Sequence, residues 1–287
     1  MYANKNKMTP GKMGIYAVLT LWALTTIYPI FWIIINSFKA KNEIISNSFS
    51  LPLGDLFTLA NYRTAFDHLN IFSAYRNSLI ISCSVALVVV VIAGMASFAL
   101  VRYNFRLKKF VNSMIIAGMM FPVFSTIIPV FRMMNAAHIV NTDNLWLSLL
   151  SVALPQIAGN LSFAIVVLSG YIKSLPIELE EAAYLEGCSA FQIFWKVVMP
   201  LTKPSFATVA IFSFLWSYND LFTQMFLLRR PEQRAITRLL NELTSQEGTN
   251  YGLMASAVAL VVVPVIIVYI ILQKHIIKGM TAGAIKG

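Results

Sequence analysis

The 287-residue chain alternates between long stretches with no charged residue and short segments that carry almost all of its charge. The uncharged windows run 13–38, 77–101, 110–131, 144–172, 204–228 and 248–273, and only Asp220 interrupts the fifth. A helix needs about 20 apolar residues to cross the hydrocarbon core of a bilayer. The windows therefore predict six transmembrane helices, at about 14–37, 77–101, 110–131, 145–171, 205–228 and 252–273, in one domain covering residues 1–287. Unbroken apolar runs such as Val85 to Ala93 do not fit the ten-residue alternation of a membrane β-barrel. The expected fold class is an all-α membrane protein. Pro29, Pro122, Pro129, Pro155 and Pro264 fall inside the windows, where each removes a backbone hydrogen bond that neighbouring helices or a cavity must replace. They are packing kinks or bends around a pathway.

Composition sharpens this picture. The chain is 58% hydrophobic and 12% charged, with a mean hydropathy of +0.71, whereas a soluble domain carries about 25% charged residues. The net charge of +10 does not indicate nucleic acid, because the basic residues are spread over loops and make no continuous face. They serve as topology signals instead. With the N-terminus inside, 13 of the 22 Lys and Arg residues fall on the cytoplasmic side, which predicts both termini cytoplasmic and Arg229 to Tyr251 outside. Lys5, Lys7 and Lys12 before the first window resemble a secretory signal, but that run is too long and lacks a small-residue cleavage pattern. It is expected to be a retained first span.

Residues 173–203, between the fourth and fifth windows, hold four of the twelve acids, Glu178, Glu180, Glu181 and Glu186. Ser174 and Pro176 read as helix-start signals, the acids suit the first turns of a helix, and Gly187 is placed to stop it. Ser189-Ala190-Phe191-Gln192 reads as a capping box opening a second helix that ends by Pro200. The result is a cytoplasmic hairpin with Ala182, Ala183, Leu185, Phe191, Phe194 and Trp195 as its apolar members, covered by a partner or by the ends of the membrane helices.

Glu181-Ala182-Ala183, three residues, Gly187, nine residues, Val197, one residue and Met199-Pro200 resemble the EAA loop of ATP-binding-cassette importer permeases. Val197 and Met199 stand where that pattern has Ile and Leu. The resemblance extends over almost the whole chain and narrows to the carbohydrate branch, similar to the maltose-type second permease. It is carried by Asn61-Tyr62-Arg63, Asn77-Ser78-Leu79, Phe98-Ala99-Leu100-Val101-Arg102, Asn141-Thr142, Trp216-Ser217-Tyr218-Asn219-Asp220 and the tail from Gly279 to Gly287. Tyr218 departs from it, since a tryptophan more often precedes the Asn-Asp pair.

The resemblance implies a permease in a bacterial or archaeal cytoplasmic membrane that moves a sugar or oligosaccharide inward by alternating access. Its implied partners are a second homologous permease, two ATPase subunits, an extracytoplasmic solute-binding protein and membrane lipid. Glu181, Ala182, Ala183, Gly187 and Pro200 then belong to the element that couples to the ATPase. No cofactor is expected in this chain, because no Gly-x-x-x-x-Gly-Lys-Ser/Thr occurs and ATP must bind a separate subunit. A sugar-phosphate is the nearest alternative substrate.

Asp220 is the ionisable residue inside a window, where an unpaired carboxylate costs about 2.5–3.5 kcal/mol at mid-bilayer. A continuous helix from Ser205 would place it about 22 Å along, toward the outer leaflet. With Trp216, Tyr218 and Asn219 it offers aromatic planes and hydrogen-bond partners suited to a sugar, or it anchors the interface or joins two helices. A membrane-embedded enzyme is the rival class. His68, His138 and His275 are dispersed, Cys83 and Cys188 lie far apart, and neither a His-Glu-x-x-His nor a Gly-x-Ser-x-Gly motif is present. No catalytic or metal-binding residue is expected.

Overall fold

The computed structural model describes residues 9–68, 70–246 and 250–284. Lys5, Lys7 and the last three residues of the tail, Ile285-Lys286-Gly287, lie outside the described residues. Among the described residues the regular structure is entirely helical. The helices are α1 (Pro10–Ser37), α2 (Lys41–Ser46), α3 (Ala60–His68), α4 (Ile71–Arg102), α5 (Lys108–Gly118), α6 (Val123–Ala136), α7 (Leu145–Lys173) and α8 (Glu178–Leu185). They continue as α9 (Ala190–Ile193), a wide π-turn (Phe194–Val198), α10 (Met199–Leu201), α11 (Lys203–Asn219), α12 (Leu221–Leu227), α13 (Ile236–Gln246) and α14 (Tyr251–Ala284). Among the described residues four segments are long and apolar enough to cross a membrane: α1, α4, α7 and Tyr251–Ile270 of α14. The count rises to six if two bent pairs, α5 with α6 and Ala190–Leu201 with α11, each make one span.

The chain forms two compact units, Met1–Leu69 with Leu240–Val263 and Asn70–Leu239 with Pro264–Gly287. In the first, the segment after α1 is knit by polar side chains. Asn61 donates to the carbonyls of Ser37 (3.0 Å) and Lys39 (2.8 Å), and the Ser37 and Tyr62 hydroxyls lie 2.7 Å apart. Phe38 stacks on Phe57 at 5.4 Å. Asn61 and Tyr62 thus tie α3 to the end of α1.

The second unit is built on α4, which packs against α7 and α11. Most of its buried residues fall in two rows of four-residue spacing, Ser78, Ser82, Ala86, Val90, Gly94 and Phe98, and Ile81, Val85, Val89, Ala93 and Ser97. Ridges of this spacing interdigitate with those of a neighbouring helix. The matching row on α7 is Val152, Gln156, Asn160, Ala164, Leu168 and Ile172, all buried. Lipid gives helices no hydrophobic reason to associate, so close approach by small residues and interhelical hydrogen bonds must hold them. The Ser97 hydroxyl supplies one such bond, donating to the Ile165 carbonyl at 3.0 Å. The opposite face of α4 exposes Leu87, Ile92 and Met95.

Two windows expected as single helices are broken. In the third, α5 stops at Gly118 and α6 starts behind Pro122, with a 103° bend between them. Pro122 is itself extended (ψ 137°), and its ring disfavours helical backbone in the residue before it. In the fifth, α11 ends at Asn219, Asp220 is extended (ψ 103°) and α12 restarts at Leu221. Asp220 is therefore a break between helices and not a point along one. Pro29, Pro129, Pro155 and Pro264 sit inside helices.

The α4 seam is tight at Gly94, where an added Cβ would stand 2.5 Å from Phe206 Cε1 and 3.1 Å from Phe194 Cζ. Gly94→Val should therefore overpack the seam by about 1–3 kcal/mol. A thermal melt in detergent should show a lowered midpoint, and an unchanged midpoint would mean the seam accommodates the added methyls.

Candidate coupling hairpin and candidate transport cavity

The hairpin forms for local reasons. Helix α8 carries Glu178, Glu180 and Glu181 in its first turn, where the helix dipole favours negative charge. It ends in a Schellman arrangement, with the Gly187 amide donating to the Tyr184 carbonyl (3.0 Å) and the Cys188 amide to that of Ala183 (3.0 Å). Gly187 has φ 85°, and an added Cβ there would meet nothing within 4 Å. Its requirement for glycine is one of backbone conformation and not of space. Helix α9 opens with a complete capping box of Ser189 and Gln192. Ser174 starts no helix: it follows α7 and donates to the Tyr171 carbonyl at 2.8 Å. Pro200 lies within α10, so the second helix runs one residue past it to Leu201. Pro200 has no N–H for the carbonyl four residues back, and the wide π-turn immediately precedes it.

The apolar members divide. Phe194 is buried against Phe98 (5.8 Å) and Phe206 (6.3 Å), whereas Leu185, Tyr184 and Phe191 are 87%, 71% and 60% exposed. Ile177, Glu180, Glu181, Tyr184 and Leu185 line a shallow open depression. Glu181, Ala182, Gly187 and Pro200 are exposed, and Ala183 is half-buried against the core. The hairpin thus presents an apolar surface rimmed by carboxylates.

Arg102 and Glu180 make an ion pair that pattern reading did not single out. The Arg102 Nε donates to Glu180 Oε1 at 2.8 Å, and its Nη2 donates to the carbonyls of Ile172 (2.9 Å) and Leu175 (3.2 Å). The two side chains are only 11% and 9% exposed. Glu180 is thereby separated from Glu181, its exposed neighbour. The signal in the sequence was a basic residue directly after one window and an acid beside the EAA motif.

Midway along α7 a cavity of about 550 Å³ opens beside the α11–α12 break, with Gln156, Asn160, Trp216, Ser217, Asp220 and Thr223 among its lining. Ser217 Oγ donates to Gln156 Oε1 (2.6 Å) and Gln156 Nε2 donates to Asp220 Oδ2 (2.7 Å). The other carboxylate oxygen of Asp220 accepts from the Thr223 amide (3.1 Å), capping α12. Asn160 gives its Nδ2 to the Gln156 carbonyl (2.8 Å), while its buried Oδ1 has no partner. Of the four aromatic and polar residues picked from sequence, Trp216 and Asp220 reach this cavity. Tyr218 is buried and stacks on Phe214 at 5.9 Å, and Asn219 bonds back to the Leu215 carbonyl of its own helix. Gln156 and Asn160 were missed, although two amides four residues apart in an apolar window mark one polar helix face.

The segment after α12 is anchored to the N-terminal ends of α4 and α7, opposite the hairpin. Asn77 donates to the carbonyls of Glu232 and Arg234, and Ser78 accepts from the Ile236 amide at 2.9 Å. The buried Gln233 donates to the Thr142 carbonyl and accepts from Ser148, both at 2.7 Å. Arg230 pairs with Asp143. The Asn141 carbonyl accepts from Arg230 Nη2 at 3.3 Å, so Asn77, Ser78, Asn141 and Thr142 all bear on one loop.

Comparison with known proteins agrees with this architecture. The chain is 31% identical over 274 residues to the diacetylchitobiose uptake system permease protein NgcG of Streptomyces coelicolor, covering 94% of this chain and 88% of that one. Its fold is similar to that of a chain in the crystal structure of a bacterial ABC transporter involved in the import of the acidic polysaccharide alginate (TM-score 0.75, 24% identity, 94% and 99% of the two chains). A bacterial alginate ABC transporter in complex with an alginate pentasaccharide-bound periplasmic protein gives a TM-score of 0.65 at 16% identity, covering 90% and 92%. Residues 87–282, which include the second half of α4, all of α7 and α11, the hairpin and the cavity, match the family described as binding-protein-dependent transport system inner membrane component, and the chain belongs to that family.

Proposed function

We propose that this chain is the membrane-spanning permease subunit of an ATP-driven importer that carries a sugar or oligosaccharide into the cell by alternating access. The observation that carries the reading is the hairpin. It presents an exposed apolar and acidic face at the same end of the bundle as the C-termini of α4 and α7, where a cytoplasmic ATPase would dock. The working complex has a second permease, two ATPase subunits that bind the ATP, and an extracytoplasmic solute-binding protein. In this reading the chain spans the membrane six times, with α5–α6 and α11–α12 each counting once, Ala190–Leu201 in the cytoplasmic hairpin and both termini cytoplasmic.

Each site residue then has a physical task. Leu185 and Tyr184 fill an apolar groove of the ATPase, and Glu181 pairs with a base beside it. Ala182 and Ala183 let the surfaces approach closely. Gly187 and Pro200 set the turn and the end of the element that ATPase closure pushes. In the path, Trp216 supplies a face for a sugar ring, while Gln156, Asn160 and Asp220 bond its hydroxyls. Tyr218 and Asn219 hold the helix end that presents them. No Lys or Arg is among the described residues lining the cavity, so an uncharged saccharide suits Asp220 better than a sugar-phosphate. The anchored loop from Arg229 lies at the opposite end of the bundle and is placed to meet the binding protein.

Three measurements test this reading. Single cysteines at Lys5, Tyr184 and Glu232, in a background lacking Cys83 and Cys188, should react with an impermeant thiol reagent on intact cells at Glu232 alone. Labelling at Lys5 or Tyr184 instead would invert the topology.

Left-handed backbone strains a β-branched residue by about 1–3 kcal/mol, whereas asparagine tolerates it. Gly187→Val should therefore lose ATPase co-purification and sugar uptake, Gly187→Asn should retain both, and Glu181→Lys should weaken ATPase retention by about tenfold, or 1.4 kcal/mol. Full uptake in both Gly187→Val and Glu181→Lys would remove the hairpin from the coupling path.

Asp220→Asn keeps the α12 cap but removes the charge and one acceptor. It should assemble normally and change uptake of at least one sugar relative to another. Equal loss for every sugar, in proportion to the amount of complex, would assign Asp220 to packing.

A further inference from the structure

We infer that Arg102 is a positioning residue that makes the hairpin one rigid body with α4 and α7 and leaves the bend at Thr202 as the joint to α11. This rests on the hairpin being the coupling element. Three helix ends meet at one guanidinium. Arg102 is the last residue of α4, its Nη2 reaches the carbonyls of Ile172 and Leu175 at the end of α7, and its Nε holds Glu180 in the first turn of α8. The charges also match the helix dipoles, with the cation at two C-termini and the anion at an N-terminus. Water competes little for the pair, because both side chains are about nine-tenths buried.

The other end of the hairpin is attached differently. Ala190–Leu201 meets α11 across an 84° bend. At that bend Thr202, with φ −100° and ψ 12°, donates its hydroxyl to the Val198 carbonyl at 2.6 Å. A push on Tyr184 and Leu185 therefore moves the ends of α4 and α7 together, while α11, in contact with the hairpin through Phe206 on Phe194, tilts at Thr202. The buried row on α7 carries this movement from Ile172 at the clasp to Gln156 at the cavity, about 24 Å at 1.5 Å per residue. Asp220, beyond the end of α11, is held to Gln156 by the 2.7 Å hydrogen bond, so relative motion of α7 and α11 opens or closes that contact. Arg102 thereby sets how much substrate moves for each ATP and not whether the ATPase binds.

The test uses the whole complex in proteoliposomes with its binding protein, reading ATPase retention, stimulated hydrolysis and sugar carried per ATP. Arg102→Gln and Glu180→Gln should each keep the ATPase and hydrolyse ATP within about twofold of wild type. Their sugar-to-ATP ratio should fall about tenfold, within the range that mutations along a coupling network produce. Arg102→Lys, which keeps the charge but not the fork, should be intermediate. Because the two residues act through each other, Arg102→Gln combined with Glu180→Gln should be no worse than the poorer single variant. An unchanged ratio in the single variants, a loss of complex at unchanged ratio, or a double variant at the product of the two defects would each overturn the inference. A wild-type complex whose hydrolysis the binding protein does not stimulate would instead overturn the proposed function itself.

Discussion

Every backbone break in a chain that spans lipid has to be satisfied by the chain itself, because no water is available at membrane depth to bond a free amide or carbonyl. The second unit is arranged around that constraint. The carbonyls of Ile172 in the last turn of α7 and of Leu175 just past it are taken by Arg102, the start of α7 by Asn144, and the restart at α12 by Asp220. The hairpin closes both of its helices with its own Schellman turn and capping box. Each of these groups lies where the chain changes direction, and each change of direction borders a candidate functional surface.

The α4–α7 seam is the frame that these ends share. Small and β-branched residues in four-residue rows let the two helices approach closely, and Ser97 adds a hydrogen bond between them. One end of the frame holds the anchored loop through Asn77, Ser78, Thr142 and Ser148, and the other holds the hairpin through Arg102. The cavity lies along α7 between them, on the same buried row that ends at Ile172. Under the proposed function, a sugar path and a coupling surface on one helix would link cytoplasmic force to the state of the cavity.

Polar residues within the apolar windows do two kinds of work. Gln156 joins Ser217 to Asp220 through both ends of its amide, so it fixes the geometry of the α11–α12 break. Asn160, one turn along the same face, keeps its buried Oδ1 without a partner beside the cavity. A buried amide oxygen left open is costly in an apolar surrounding, and a ligand hydroxyl would relieve that cost. The aromatic residues divide in the same way, with Tyr218 packed into the helix bundle and Trp216 half open to the cavity.

The sequence by itself determined what depends on local chemistry. Apolar windows of membrane length, the acids of α8, the glycine at the αL position and the Ser189 capping box are consequences of neighbours within a few residues, and each was legible before any tertiary contact was known. The EAA spacing carried the family for the same reason. Pro122 was visible but not its effect, since a proline in a membrane helix kinks or breaks it according to what surrounds it. Only the tertiary structure decided that Asp220 caps a new helix, that Gln156 holds it and that Tyr218 faces away from the cavity. It alone separated Glu180, paired inward with Arg102, from Glu181, exposed beside it. Arg102 and Glu180 stand 78 residues apart, and no periodicity within one helix can show which end of another helix will meet it.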